Sequence, residues 1–308
     1  MNVNAPAADR FCRSDLPLSE ALAAGKSWIE QELDQALPSA DLRPAVLHSA
    51  MRYACLNGGK RLRCILTLEC CRLLGTAPRR ALRPALALEI FHAYTLIHDD
   101  LPCMDDDDLR RGQPSCHIRF GEANALLAGD ALLTLACQWM AETHAPLPHA
   151  PAALVSELTR AGGSTGVIGG QVEDLAAEGS AADEDQLLYI HTEKTARLIA
   201  CACRVGAICA GACASRVDLL GRYGLHLGIA FQLLDDILDA TQSTEQLGKP
   251  AGSDAEAEKL TCVRLWGLEK SRAEAARHTQ AALDLLDQME GDTARLRDLT
   301  RHLLQRQD

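Results

Sequence analysis

Asp99, Asp100, Asp105, Asp106, Asp107 and Asp108 put six carboxylates within ten residues, and Asp235, Asp236 and Asp239 form a second acidic set far downstream. Two ionised carboxylates about 5 Å apart repel by roughly 3 kcal/mol at an effective dielectric of ~20, so a fold that gathers several of them needs cations. All-oxygen donor sets suit Mg²⁺, which keeps part of its water and binds through one or two carboxylates plus phosphate oxygens. Two facing acidic sets therefore describe a clamp for a diphosphate, an anionic ligand held between acidic walls.

The two sets differ in local geometry. In Leu233-Leu234-Asp235-Asp236-Ile237-Leu238-Asp239, four residues turn a helix through about 400°, which brings Asp235 and Asp239 onto one face one turn apart. Asp99 and Asp105 are six apart, and Leu101-Pro102 favours leaving the helix after Asp100, so Asp105 must return along a loop or a distorted turn. Alone, the Asp run would read as a solvated cap or loop. Arg110-Arg111 directly after it, with a second acidic set elsewhere, favours the metal-diphosphate reading. The chain has 25 Arg but only six Lys, of which Lys60, Lys194, Lys249 and Lys259 interrupt apolar runs in polar or Gly-punctuated segments. An ammonium is a compact point charge suited to phosphate.

These side chains need helices to position them. Hydrophobic residues make up 47% and aromatics 4%, with frequent Ala and Leu, a composition for closely packed helices rather than sheets. Helical patterning runs over Ser19 to Gln35, Leu42 to Leu56, Leu62 to Leu74, Leu82 to His98, Glu122 to Ala141, Pro151 to Ala161, Asp183 to Ala210, Arg216 to Leu238, Ala255 to Asp287 and Thr293 to Leu304. Turns are expected at Gly58-Gly59, Pro146 to Pro151 and Gly162 to Gly170, and strand alternation is essentially absent. Residues 1–17 read as a loose lead-in and residues 18–308 as one all-α domain, a many-helix bundle with its site among inward-facing side chains around a central cavity.

A net charge of −11 argues against a general nucleic-acid binder, which presents Lys and Arg as a patch, and favours a small substrate. Thirteen Cys is an odd number, no Cys-x-x-Cys occurs, and no secretory signal is evident, so a reducing cytoplasm is the expected location. Cys201, Cys203, Cys209 and Cys213 lie among Ala, Ile and Gly, where Cys serves as a small buried hydrophobe. Leu198 to Ala214 is the most apolar stretch, but it is 17 residues long and carries Arg204. It reads as a central helix of a bundle, not a membrane span.

Asp99 to Gly112, DDLPCMDDDDLRRG, together with LLDDILD at 233–239, resembles the trans-prenyl diphosphate synthases. Gly58-Gly59-Lys60-Arg61-Leu62-Arg63, Phe120-Gly121-Glu122-Ala123-Asn124, Gly129-Asp130, Gly169-Gly170-Gln171 with Asp174-Leu175, Lys194-Thr195, Phe231-Gln232 and Leu247-Gly248-Lys249 extend the resemblance over nearly the whole chain. It implies the helical fold of isoprenoid synthases and the condensation of isopentenyl diphosphate with an allylic diphosphate. It also implies about three Mg²⁺: Asp99 and Asp105 bind two, and Asp235 with Asp239 nearby holds a third, while Asp100 and Asp236 support them. Lys194, Lys249 and Arg110 would grip the allylic diphosphate, with Lys259 as a further contact. Gly59, Lys60, Arg63, His92 and Arg111 would hold the metal-free diphosphate of isopentenyl diphosphate, which needs direct cationic donors. Thr195 and Gln232 oxygens would stabilise the allylic cation, beside Lys194. Tyr94, five residues before Asp99, with Pro102 and Cys103 lengthening the first motif, implies a fifteen-carbon product, farnesyl diphosphate. A homodimer is also implied.

Departures from the family pattern are Cys64, where Pro is usual, and Leu260, Cys262, Val263 and Arg264 in the segment after Lys259, which put the placement of Lys259 in question. Within the same chemistry, a geranyl or geranylgeranyl product is the nearest rival. A class I terpene cyclase would need no second diphosphate pocket, so Lys60, Arg63 and Arg111 argue against it. A non-catalytic partner subunit is suggested only superficially by Cys209-x-x-x-Cys213, since both acidic sets are present.

Overall fold

A computed structural model describes residues 6–13, 15–144, 150–179, 183–241 and 259–304. They form α1 (Ala7–Cys12), α2 (Leu18–Ala36), α3 (Ala45–Leu56), α4 (Leu62–Leu73), a 3₁₀ turn (Pro78–Ala81) and α5 (Leu82–Asp99). A two-residue ribbon follows, β1 (Leu109–Arg110) paired antiparallel with β2 (Gln113–Pro114). Then come α6 (Cys116–Phe120), α7 (Glu122–Ala141), α8 (Ala150–Gly162), α9 (Val167–Ala177), α10 (Glu184–Ile190), a π turn (His191–Ala196), α11 (Arg197–Cys209), α12 (Ala214–Thr241), α13 (Cys262–Asp287, bent at Gly267) and α14 (Ala294–Leu304). The ribbon is all the strand structure among the described residues. Left-handed Arg111 and Gly112 make its tight turn.

The all-α expectation holds, and α7 has the bounds its periodicity predicts. Several places differ. The supposed loose lead-in contains α1, whose Phe11 is 1% exposed and stacks against Trp28 of α2. The helix expected from Leu42 begins at Ala45, because Pro44 bars a helical conformation at the residue before it. The stretch around Gly162 to Gly170 turns only as far as Gly166 and then enters α9, so Gly169 and Gly170 are helical. The helix expected over Asp183 to Ala210 is broken by the π turn. The start expected at Ala255 lies outside the described residues; Lys259, Leu260 and Thr261 are not helical, and the helix starts at Cys262 with Thr261 as its N-cap.

α11 is the central helix the sequence indicated, with Ala202, Cys203, Val205 and Ala207 fully buried. Arg204 is tolerated there because its guanidinium meets Glu157 of α8 at 2.7 and 3.0 Å. Cys201, Cys203 and Cys209 are buried as expected, whereas Cys213 is exposed just ahead of α12, where the chain passes between helices at the surface. Among the described residues no helix is long and apolar enough to cross a membrane.

The π turn matters for function because it carries Lys194 and Thr195. One extra residue per turn re-aims side chains, and such turns recur at functional sites. Two neighbours press on it. A Cβ on Gly170 of α9 would lie 2.3 Å from the Lys194 backbone nitrogen, and one on Gly228 of α12 would lie 2.5 Å from Ala196 Cα. Gly228→Ala should therefore destabilise the fold by about 1–3 kcal/mol despite the better helix propensity of Ala. Urea denaturation checks this, and an unchanged midpoint would mean the contact yields freely.

Candidate active site

A cavity of about 1000 Å³ opens between α4, α5, α9, the π turn and α12. Of the residues singled out in the sequence, Gly59, Lys60, Arg63, His92, Asp99, Arg111, Lys194, Thr195, Gln232 and Asp235 line it. A smaller cavity of about 110 Å³ adjoins, sharing Lys194, Thr195, Gln232 and Asp235 with the first and adding Asp236 and Lys259. Lys249 lies outside the described residues.

The first acidic motif is built at the end of α5. The chain leaves the helix after Asp100 and doubles back, and the Asp105 N–H donates to the Asp99 carbonyl at 2.9 Å, the return expected from the spacing. Asp99 stands at the wall of the cavity, and burial together with the nearby Asp105 charge raises its pKa to about 6 against the pull of Lys194. Asp100 is buried and accepts from Arg110 Nε at 2.9 Å, and Arg110 also reaches Asp107 at 3.0 Å. Arg110 thus ties the motif together and does not line the cavity, in contrast to its expected contact with the allylic diphosphate.

The second motif divides by depth. Asp235 is exposed to the cavity, and Asp239, one turn on, is 5% exposed and outside its lining. Asp236 is turned inward, taking hydrogen bonds from Gln232 Nε2 and the Cys262 N–H, both at 2.9 Å, with His191 Nε2 at 3.2 Å. These donors keep its acidity high in spite of burial. Lys259 Nζ sits 3.4 Å from Asp105 Oδ1, so despite the unusual residues after it this lysine spans from the second motif to the first. Leu260 and Cys262 are buried in the apolar cluster beneath α12 and hold the segment there.

Opposite the acidic walls lies a cationic corner. Gly59 has φ 116°, which calls for glycine, and the missing Cβ leaves room for the Arg111 guanidinium, whose carbon would lie 2.8 Å from it. Arg111 donates to the Gly58 carbonyl. Arg61, left-handed at the start of α4, is neutralised by Glu89 at 3.5 Å and Glu30 at 3.6 Å. Arg63 has a buried Nε with no hydrogen-bond partner, and burial lowers its pKa to about 10. His92 is pushed well below its usual range by burial and by Arg63 and Arg111. A pocket with an unpartnered guanidinium and a neutral imidazole among arginines is built for an anion. An anion there should favour the imidazolium. NMR of the His92 ring should find it neutral at pH 7 and moving toward protonation on adding inorganic pyrophosphate; an unmoved ring would place the anion elsewhere.

The chemistry of the donor set fits Mg²⁺. Asp99, Asp105 and Asp235 offer only oxygen, and among the described residues no three His, Cys, Asp or Glu side chains gather closely enough to hold an ion alone. An ion here must complete its shell with water and ligand oxygens, the habit of Mg²⁺.

Residues 44–301 match the polyprenyl synthetase family. The chain belongs to that family. It is a prenyltransferase, 41% identical over 287 residues to heterodimeric geranylgeranyl pyrophosphate synthase large subunit 1, chloroplastic, of Arabidopsis thaliana, covering 91% of this chain and 77% of the relative. Geranylgeranyl pyrophosphate synthase 12, chloroplastic, of the same plant is 43% identical, covering 84% and 72%. The fold superposes on an FPP/GFPP synthase of Zymomonas mobilis with TM-score 0.81 at 35% identity, covering 93% and 98% of the two chains. It superposes on a geranyltransferase of Helicobacter pylori, complexed with magnesium and isoprenyl diphosphate, with TM-score 0.82 at 31% identity, covering 95% and 98%.

Some cavity residues of this prenyltransferase escaped the sequence reading. Gln171 of α9 lines the cavity with both amide atoms buried and unpartnered. Asp174, one turn on, pairs with Lys194. Both belong to the Gly169-Gly170-Gln171 stretch noted earlier, and their spacing of three on a helix was the available signal. Arg61 adjoined predicted residues. His191 and Cys262 carried no local signal, since only packing brings them to Asp236.

Proposed function

We propose that this prenyltransferase condenses isopentenyl diphosphate with dimethylallyl and then geranyl diphosphate to give farnesyl diphosphate. The observation that carries this reading is one cavity with an acidic wall at Asp99 and Asp235 and a separate cationic corner at Arg63, His92 and Arg111. That asymmetry suits two diphosphates, one with metal and one without, and so favours condensation over cyclisation. Asp99, Asp105 and Asp235 would hold Mg²⁺, about three ions, which when bound draws charge from the allylic diphosphate as it departs. Lys194, paired with Asp174, and Lys259, 3.4 Å from Asp105, both line the adjoining cavity and would turn their ammonium groups to the allylic diphosphate, and Lys249 would add a third. Arg110 serves by ordering the first motif through Asp100 and Asp107.

The double bond of isopentenyl diphosphate attacks the allylic C1, the C1–O bond to diphosphate breaks, and a proton is lost to that departing diphosphate. Thr195 and Gln232 present oxygens to the developing cation, and the 2.8 Å hydrogen bond between them keeps those oxygens in place. Lys60 and Gly59 complete the grip on isopentenyl diphosphate.

The fifteen-carbon product rests on Tyr94, which is 4% exposed and packed edge-on between Phe91 at 4.8 Å and His98 at 5.4 Å. A geranylgeranyl product is the second reading, favoured by relatives named geranylgeranyl pyrophosphate synthases. We further propose a homodimer through exposed Val46, Ile118, Leu126 and Leu127 on the adjoining α3, α6 and α7, and a cytoplasmic setting that keeps the free cysteines reduced. Light scattering tests the dimer.

Incubating the protein with Mg²⁺, isopentenyl diphosphate and each allylic starter, then dephosphorylating and weighing the products, tests the function. Farnesol from the two shorter starters, with little extension of farnesyl diphosphate, is expected. Geranylgeraniol as the main product would favour the second reading, and no consumption of isopentenyl diphosphate would overturn the condensation.

A further inference from the structure

We infer that His191 is a positioning residue: it holds Asp236 so that the Gln232 amide keeps its oxygen toward Thr195 and the cavity. This rests on the condensation proposed above and concerns how the cation-facing oxygens are oriented. The four groups form a hydrogen-bonded chain. His191 Nε2 lies 3.2 Å from Asp236 Oδ2, which also accepts the Cys262 N–H at 2.9 Å. Asp236 Oδ1 accepts from Gln232 Nε2 at 2.9 Å, and Gln232 Oε1 accepts from Thr195 Oγ1 at 2.8 Å.

The direction of each bond follows from the donor inventory. An ionised carboxylate only accepts, so it selects the NH₂ end of the Gln232 amide and turns the carbonyl end the other way. That carbonyl then takes the Thr195 hydroxyl hydrogen, so the Thr195 oxygen keeps its lone pairs for the cavity that both residues line. Reversing the amide would place an N–H₂ group where positive charge develops and would point the Thr195 hydroxyl elsewhere. Asp236 is the polarising end of this chain, and its own geometry is set from two directions, by the first residue of α13 and by the first residue of the π turn.

His191 is 2% exposed, and its Nδ1 has no hydrogen-bond partner. Its 3.2 Å contact with the Asp236 carboxylate is therefore the one through which the ring acts on the site. An imidazole buried with one nitrogen unsatisfied is costly, and a purely space-filling role would be served better by an apolar side chain.

Steady-state kinetics with geranyl diphosphate, isopentenyl diphosphate and Mg²⁺ test this, comparing His191→Ala, His191→Gln, Asp236→Asn and the His191→Ala/Asp236→Asn double variant with the unaltered protein. Asp236→Asn, which can present an amide N–H₂ and release the orientation of Gln232, should lower kcat about 10²-fold. His191→Ala should lower kcat about 10-fold, and His191→Gln, which retains an N–H donor, should recover to within about 3-fold. KM for isopentenyl diphosphate should change less than about 3-fold in each, because the cationic corner is untouched. The double variant should be no more than about 2-fold worse than Asp236→Asn, since both changes cut one chain. Equal loss in His191→Ala and His191→Gln, losses that multiply in the double variant, or a change confined to KM would overturn the inference. If the unaltered protein is active and these patterns fail, this inference alone falls; if the unaltered protein consumes no isopentenyl diphosphate, the proposed function falls and takes it along.

Discussion

Asp99→Asn should lower kcat/KM by about 10³-fold while raising the melting temperature of the metal-free protein at pH 8. The two effects have one cause. Burial at the cavity wall and the neighbouring Asp105 raise the Asp99 pKa from 3.8 to about 6. A carboxyl group whose pKa is raised by folding is neutral in both states at low pH, so it costs nothing there. As pH rises from about 4 to about 6 it ionises first in the unfolded chain, folding then opposes ionisation, and the penalty is complete above about 6. A neutral Asn of the same shape removes that penalty at pH 8 and changes little at pH 4. On the proposed reading it also removes an anionic oxygen that would hold Mg²⁺, so Mg²⁺ with pyrophosphate should stabilise the unaltered protein more than the variant. Thermal melts at pH 4 and pH 8, with and without Mg²⁺ and pyrophosphate, check the stability arm. Activity within about 10-fold of the unaltered protein would exclude Asp99 as a ligand.

If the product is the proposed farnesyl diphosphate, Tyr94→Ala should shift it from fifteen to twenty carbons or more. The Tyr94 ring lies in a row along α5, edge-on between Phe91 and His98, and His98 Nε2 is itself held by the Leu126 carbonyl of α7 at 3.0 Å. Thr95 and Asp99, on the adjoining face of α5, line the cavity. Tyr94 itself is not among the cavity's lining residues, so on the proposed reading a prenyl chain running from Asp99 past Thr95 would reach this row of rings behind the cavity wall. Five further carbons buried in place of the ring are worth up to about 4 kcal/mol, enough to reverse a product preference. The cavity left in the absence of a long chain should cost about 3–5 kcal/mol of stability. Mass analysis of dephosphorylated products from geranyl and farnesyl diphosphate starters decides it, and unchanged farnesol with normal turnover would remove Tyr94 from the floor of the site.

Residue periodicity and acidic spacing already specified much of this molecule. The apolar face of Glu122–Ala141 repeats with the helical period, and Ala and Leu recur along it, so its bounds were legible from local propensity and periodicity alone. Asp235 and Asp239 share a helix face by geometry, and Pro102 forces the chain off α5 after Asp100, so both acidic motifs were describable before any packing was known. Arg63, His92 and Arg111 were recognisable as anion donors, but their assembly around one cavity brings together α4, α5 and the β-ribbon, and contacts between distant segments leave no trace in local periodicity. The π turn at His191–Ala196 is the clearest case. Its residues are all compatible with an ordinary helix, and only the close approach of Gly170 and Gly228 accompanies the irregularity that aims Lys194 and Thr195 into the cavity. The division of labour between Asp235, open to the cavity, and Asp236, turned inward to His191, Gln232 and Cys262, was likewise decided in three dimensions. Adjacent residues on a helix point about 100° apart, and which direction is wet depends on what the rest of the chain packs against it.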